Sequence, residues 1–143
     1  MRPDLQVLCF GTEAPTPALP LPPNTRFVLR PPQDELKLLY AACDVWLFGS
    51  RLDSFGLPML EAMACRTPVV AVPIGAAQWL LGSGGGTIVP PESPADMAAA
   101  LLSLLDASPV EWQRVSDAAH QRAHSHSWRD AAQALLDCLP MGR

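Results

Sequence analysis

The sequence predicts an α/β fold, an open parallel sheet flanked by helices. Three observations carry this. Short apolar runs alternate along the chain with segments of helical periodicity, the pattern of strands joined by crossover helices. Two of those runs, Val45–Phe48 (VWLF) and Val69–Val72 (VVAV), are apolar at every position, as strands buried on both faces are. The last third of the chain carries three helix starts of one design, each a Ser followed three residues later by an acid.

Taken in order, Leu5–Phe10 (LQVLCF) reads as the first strand and Arg26–Arg30 (RFVLR) as the second. Between them Glu13–Asn24 (EAPTPALPLPPN) is a Pro-rich connector, whose missing N–H groups and fixed φ favour an extended, solvated path. Gln33–Cys43 reads as a helix with Leu36, Leu39, Tyr40 and Cys43 on one face. The strand Val45–Phe48 follows, then a short helix Pro58–Cys65 with Pro at its first position, then the strand Val69–Val72. Ala76–Leu81 reads as a short helix, Gly82–Gly86 as a mobile loop and Thr87–Val89 as a short strand. Helices then begin at Ser93, Ser108 and Ser127. The first has an apolar face of Met97, Ala100, Leu101, Leu104 and Leu105. The last has one of Trp128, Ala132, Leu135 and Leu139. The pattern is Rossmann-like, and in such sheets ligands bind beyond the carboxyl ends of the strands.

At 143 residues the chain fits one domain and not two of roughly 100–200 residues. It is 49% hydrophobic and 17% charged, with a mean hydropathy of +0.15, enough apolar content for a core. The net charge is -4 and Lys37 is the only lysine, which argues against a nucleic-acid partner. Cys9, Cys43, Cys65 and Cys138 form no C-x-x-C pair and read as thiols in a reducing compartment. No signal-peptide pattern opens the chain. The most apolar stretch, Pro68–Leu81, is too short to span a bilayer. The expectation is a soluble, cytoplasmic protein.

The chemistry concentrates after Phe48, in Gly49-Ser50-Arg51-Leu52-Asp53-Ser54-Phe55-Gly56-Leu57-Pro58-Met59-Leu60-Glu61. Asp53 lies in the loop and Glu61 in what reads as the first turn of the next helix. Phe55, Gly56 and Leu57 lead into the helix start, where N–H groups lack intrahelical acceptors and favour phosphate or polarised hydroxyls. A nearby carboxylate accepts hydrogen bonds from sugar hydroxyls. On spacing alone the plainer reading leads, with Glu61 complementing the helix dipole and Asp53 forming a turn.

The run LYAACDVWLFGSRLDSFGLPMLEAMACRTPVVAVPIGA resembles the C-terminal domain of group 1 glycosyltransferases, the retaining, family 4-like enzymes of GT-B fold. The likeness extends from about Leu5 to about Leu139, with Gly84–Pro90 and Ser127-Trp128 matching later family segments. It implies one half of a GT-B fold. Residues 1–143 would be a single donor-binding domain, lacking its first strand and helix and the N-terminal acceptor domain. It further implies a nucleoside-diphosphate sugar as substrate, hexosyl transfer with retention, no metal and no cofactor. Residue by residue, the resemblance gives Asp53 to the donor sugar and Glu61 to the nucleotide ribose. The backbone at Phe55, Gly56 and Leu57 lines sugar and diphosphate, and the loop with Pro31 and Gln33 meets the base. Arg51 is the nearby cation for the diphosphate, although a solvated loop arginine is its plain reading.

Four positions depart from the family pattern. Asp53 stands where Glu is usual, Ser54 and Arg66 where Gly is usual, and Gly49 where Pro is usual. Arg66, at a helix end, reads as a cap for carbonyls. The resemblance also places the diphosphate-neutralising Arg and Lys, and the acceptor domain, upstream of the segment matching Leu5. Transfer needs that charge stabilised and an acceptor held in line, so this chain alone is expected not to turn over. The acceptor, a sugar or lipid-linked sugar, is left open, as is a full-length protein peripheral to a membrane. Two alternatives stand beside the transferase: a degenerate, non-catalytic GT-B-like binding module, and an epimerase or phosphorylase fragment on the same scaffold. A missing partner domain would leave apolar surface exposed and invite self-association.

The remaining motifs read plainly. His120 and His124 have i, i+4 spacing, but Gln121 stands where a metalloprotease needs Glu, so no metal site is expected. Gly82–Gly86 is neither a P-loop nor a dinucleotide fingerprint. Trp46 and Trp128 are expected in the core, with Trp79 and Trp112 undecided.

Overall fold

A computed structural model of the chain describes residue 2 and residues 4–139. All strands run parallel to their partners, in two ladders. β1 (Val7–Gly11) pairs with β2 (Thr25–Leu29), from Val7 opposite Thr25 to Gly11 opposite Leu29. β3 (Trp46–Phe48), β4 (Val69–Ala71) and β5 (Gly86–Ile88) form the second ladder in that order. α1 (Leu36–Ala41), α2 (Leu57–Ala64) and α3 (Ala77–Leu81) lead into β3, β4 and β5 respectively. α4 (Pro94–Leu105), α5 (Pro109–His124) and α6 (Trp128–Cys138) follow.

The two faces of β4 organise the core by the period-2 alternation of a strand. Val69 and Ala71 pack with Tyr40 of α1, Met59 and Met63 of α2 and Leu80 of α3. Val70 faces the other way and joins Val72, Val89 and Leu104 of α4. All three residues of β4 are fully buried, as an all-apolar central strand should be.

β3 does not follow that rule. Leu47 is 45% exposed, although the sequence predicts burial on both faces. Its register partner Val70 lies under α4, and no helix among the described residues extends that cover as far as Leu47.

The other differences are local. α1 starts at Leu36 rather than Gln33, because the chain leaving Pro32 first makes a turn in which Glu35 N–H donates to the Pro32 carbonyl at 3.0 Å. The glycine run is shorter as a loop than predicted, since Gly86 already belongs to β5. Gly85 lies where a Cβ would come within 2.7 Å of Ala119 Cα in α5, so its lack of side chain sets how closely that helix approaches. Ser108 and Ser127 cap α5 and α6 in full capping boxes with Glu111 and Asp130, and Ser93 accepts from Asp96 N–H, as the spacing predicts. α6 forms, but its apolar stripe covers nothing described. Trp128, expected in the core, is 88% exposed, and Leu135 and Leu139 are exposed with it. Trp46 does pack inside, with ring centroids 5.4 Å from Phe10 and 4.8 Å from Tyr40.

Candidate functional site

β3 hands the chain to the loop that begins at Gly49, at the carboxyl edge of the ladder. Asp53 folds this loop on itself. Its Oδ1 accepts from the N–H of Phe55 at 2.9 Å and of Gly56 at 2.5 Å. Gly56 then turns into the left-handed region (φ 90°) as the N-cap of α2, where a Cβ would run into the Met59 terminal methyl. The loop is tied to the one after β4 by Ala76 N–H, which donates to the Phe55 carbonyl at 2.9 Å. Two of the three backbone groups expected to face a ligand are therefore directed at Asp53, and Leu57 is the first residue of the helix beyond them.

Glu61 is the fifth residue of α2, in its second turn rather than its first. That is too far along for a carboxylate to complement the unpaired N–H groups of the helix start. It has a specific partner instead. Tyr40 Oη donates to Glu61 Oε2 at 2.7 Å from a side chain only 2% exposed. The phenol is wedged between Phe10 and Trp46, and the Tyr40 carbonyl accepts from the buried Thr67 hydroxyl at 2.8 Å. Burial, and then the adjacent Glu61 carboxylate, hold the Tyr40 hydroxyl far above the usual phenol range, so it stays a donor at any working pH. One carboxylate oxygen is held from behind, and the lone pairs not used by Tyr40 can accept from a ligand. Helical periodicity placed Tyr40 on an apolar face; only its hydroxyl hinted at a polar partner.

The other predicted residues lie apart from this pair. Arg51 makes an exposed ion pair with Glu92 (3.3 Å) beside a cleft of about 740 Å³. Gly49, Val72, Pro73 and Met97 line that cleft, and Asp53 and Glu61 do not. Pro31 and Gln33 follow β2 after Arg30, which takes a left-handed φ of 49°. Arg30 N–H donates to the Gly11 carbonyl at 2.8 Å and its Nε to the Thr12 carbonyl at 2.9 Å, drawing the loops after β1 and β2 together.

Residues 11–122 match the family described as glycosyl transferases group 1. The chain belongs to that family. It is 38% identical over 112 residues to a D-inositol 3-phosphate glycosyltransferase of Kineococcus radiotolerans, covering 72% of this chain and 26% of that protein. The counterpart from Streptomyces bingchenggensis is 40% identical over 111 residues, 76% of this chain and 24% of that protein. Sucrose-phosphate synthase from Thermosynechococcus elongatus superposes with a TM-score of 0.71 at 28% identity, covering 80% of this chain and 29% of that one. The Anabaena protein HepE, solved in complex with UDP and glucose, superposes with a TM-score of 0.67 at 24% identity, covering 80% and 32%. The last likeness is one of fold. The chain spans about a quarter of the length of the curated relatives it matches.

In this group 1 glycosyltransferase chain the departure at Arg66 has a structural explanation. Arg66 follows the C-cap of α2 with φ 67°, a conformation that glycine adopts without strain. The expected carbonyl cap is not what its side chain provides: the guanidinium pairs with Asp117 of α5. His120 and His124 are likewise taken up locally, with the Nδ1 atoms against the carbonyls of Ala64 (3.0 Å) and His120 (2.9 Å). Trp79 lies half-exposed under the Arg122 guanidinium, 3.9 Å from its ring centroid, and Trp112 Nε1 donates to the Asp44 carbonyl at 3.0 Å. No helix among the described residues is long and apolar enough to cross a membrane.

Proposed function

We propose that this chain is the donor-binding part of a retaining glycosyltransferase and that its ligand is a nucleoside-diphosphate sugar. The observation that carries the reading is the buried Tyr40 phenol fixing Glu61, within the acid-spaced element of the family, one turn below a loop at the carboxyl edge of a parallel sheet. A carboxylate with one oxygen fixed and its other lone pairs open suits a vicinal diol, so Glu61 takes the ribose. Asp53, with the backbone of Phe55, Gly56 and Leu57, is assigned the sugar side, and Pro31 and Gln33 the base. Arg51 is assigned the diphosphate, which it would reach by exchanging its exposed ion pair with Glu92. Charge stabilisation on the leaving diphosphate and alignment of an acceptor fall to residues outside this chain, so it binds without turning over. No metal or cofactor enters this reading.

Calorimetric titration with UDP, GDP and ADP tests it. Binding of one of them at up to millimolar concentration, weakened by Glu61→Gln, is the expected result. An unchanged affinity removes Glu61 from the site, and robust glycosyl transfer by the isolated chain removes the claim that it cannot turn over.

One observation favours a second reading, a binding module that has lost sugar recognition. Asp53 Oδ1 already accepts from Phe55 and Gly56, so both members of the sugar-side set satisfy each other. A nucleoside diphosphate and its sugar conjugates binding with equal affinity would select this reading.

A further inference from the structure

We propose that Trp79, together with the Phe55 ring, is an aromatic platform for the apolar face of a hexopyranose, and that it supplies the sugar contact that Asp53 alone leaves incomplete. The placement comes first. α3 sends Ala77, Leu80 and Leu81 into the core, at 0%, 0% and 4% exposure, and keeps Trp79 outside at 46%. Core packing therefore does not account for the largest side chain of that helix. Ala76 N–H donates to the Phe55 carbonyl, and Trp79, three residues on, lies on the same side of the turn. Its ring centroid is 6.4 Å from that of Phe55, itself 37% exposed, with 59° between the planes. Two open rings thus stand in a corner beside the loop at the carboxyl edge of β3.

Trp79 is also held still. Arg122, in the last turn of α5, donates from Nε and Nη2 to the Trp79 carbonyl at 3.1 and 2.7 Å. The same guanidinium lies 3.9 Å from the ring centroid, a cation–π contact. His126, just past α5, meets the indole edge-to-face, with 5.0 Å between centroids. A surface aromatic ordered in this way before a ligand arrives loses little further freedom on binding.

The chemistry of the corner selects a sugar. A pyranose has a face of C–H groups, which suits the negative π-face of an aromatic ring, and a rim of hydroxyls, which need acceptors. Asp53 provides one. Its Oδ1 is taken by the Phe55 and Gly56 amides, and its Oδ2 by nothing among the described residues. Phe55 links the two parts, since its amide holds Asp53 and its ring meets Trp79. That this sugar is the donor's rests on the function proposed above; the platform itself does not.

Nuclear magnetic resonance of the isotopically labelled chain tests this, with methyl glucoside, methyl galactoside and methyl mannoside as probes. The Trp79 indole signal, assigned by its absence in Trp79→Leu, is expected to move saturably with at least one of them, while the Trp112 and Trp128 signals stay in place. The Gly56 amide, beside Asp53, reports the same titration in variants without the indole. There Trp79→Leu should weaken binding about threefold to tenfold, and Trp79→Tyr, which keeps a ring, should restore most of it. A Trp79 signal that no glycoside moves overturns the proposal. So does an unchanged affinity in Trp79→Leu, or a response to UDP, GDP or ADP in place of the glycosides, which would make the ring a nucleobase platform. Calorimetry with those nucleotides separates this inference from the function it deepens. A glycoside response without nucleotide binding removes the donor function and keeps the platform; nucleotide binding without a glycoside response does the reverse.

Discussion

The phenol of Tyr40 donates a 2.7 Å hydrogen bond to Oε2 of Glu61, joining the buried side of α1 to the second turn of α2. The two residues are held from opposite directions, Tyr40 by Phe10, Trp46 and Thr67, Glu61 by its helix. Tyr40→Phe removes only the hydroxyl and keeps the packing. We expect nucleotide affinity to fall about threefold to tenfold, or about 0.7–1.4 kcal/mol. A 2′,3′-dideoxy nucleotide, which has no diol to present, should bind the variant and the parent alike. Calorimetry with both ligands checks this, and equal loss for both would mean that the hydroxyl acts only on the fold. Glu61→Ala, by contrast, leaves a buried hydroxyl without an acceptor and should cost about 1–3 kcal/mol of stability, which Glu61→Gln avoids.

Asp53→Glu tests the short side chain that departs from the family pattern. The extra methylene moves the carboxylate away from the Phe55 and Gly56 amides, which it now ties at 2.9 and 2.5 Å. The substitution should lower stability by about 1 kcal/mol, as loss of a helix cap does. It should also raise affinity for a sugar nucleotide relative to the free nucleotide. Thermal melts and paired titrations give the two numbers.

Gly85→Ala should be among the more damaging single-methyl additions. Its Cβ would meet Ala119 backbone atoms at 2.7 and 3.1 Å, and a helix backbone cannot rotate aside as a side chain can. A loss of about 1–3 kcal/mol is expected from chemical denaturation.

The capping boxes set an acid dependence. The Ser108 hydroxyl and then its N–H hold the Glu111 carboxyl below the usual range, and Ser127 does the same for Asp130. A depressed folded pKa means stability that is present above the unfolded value and lost as pH falls through the folded one. The melting temperature of the parent should exceed that of Glu111→Gln at neutral pH. The difference should be small because the site is exposed, and should close on acidification below the ordinary carboxylate range. Melts of both proteins from neutral to acidic pH measure it.

Much of the fold was legible because its signals are local. The strands are short apolar runs, and the Ser-to-acid spacing marked all three late helices within a residue. The turn at Asp53 was legible for the same reason. What escaped depends on neighbours distant in sequence. Tyr40 lies 21 residues from Glu61, and a periodicity that assigns Tyr40 to an apolar face does not show where its hydroxyl points. The burial expected of Leu47 and Trp128 follows from their own segments, but a strand or helix is covered only if a second element reaches it. The main-chain requirement at Arg66 was hidden too, because a left-handed residue after a helix is signalled by glycine and here the glycine is replaced.

The ladders of two and three strands have four edges between them. Each edge is a row of unpaired main-chain groups, a template on which another chain can grow. β2's outer edge is flanked by Arg26 and Arg30 and preceded by a connector whose prolines cannot donate to a ladder. The edges turned away from those pairings, at Leu8 and Phe10 in β1 and at Leu47 in β3, have no such guard, so aggregation of the 143-residue chain should start there, and charges introduced at Leu47 should suppress it.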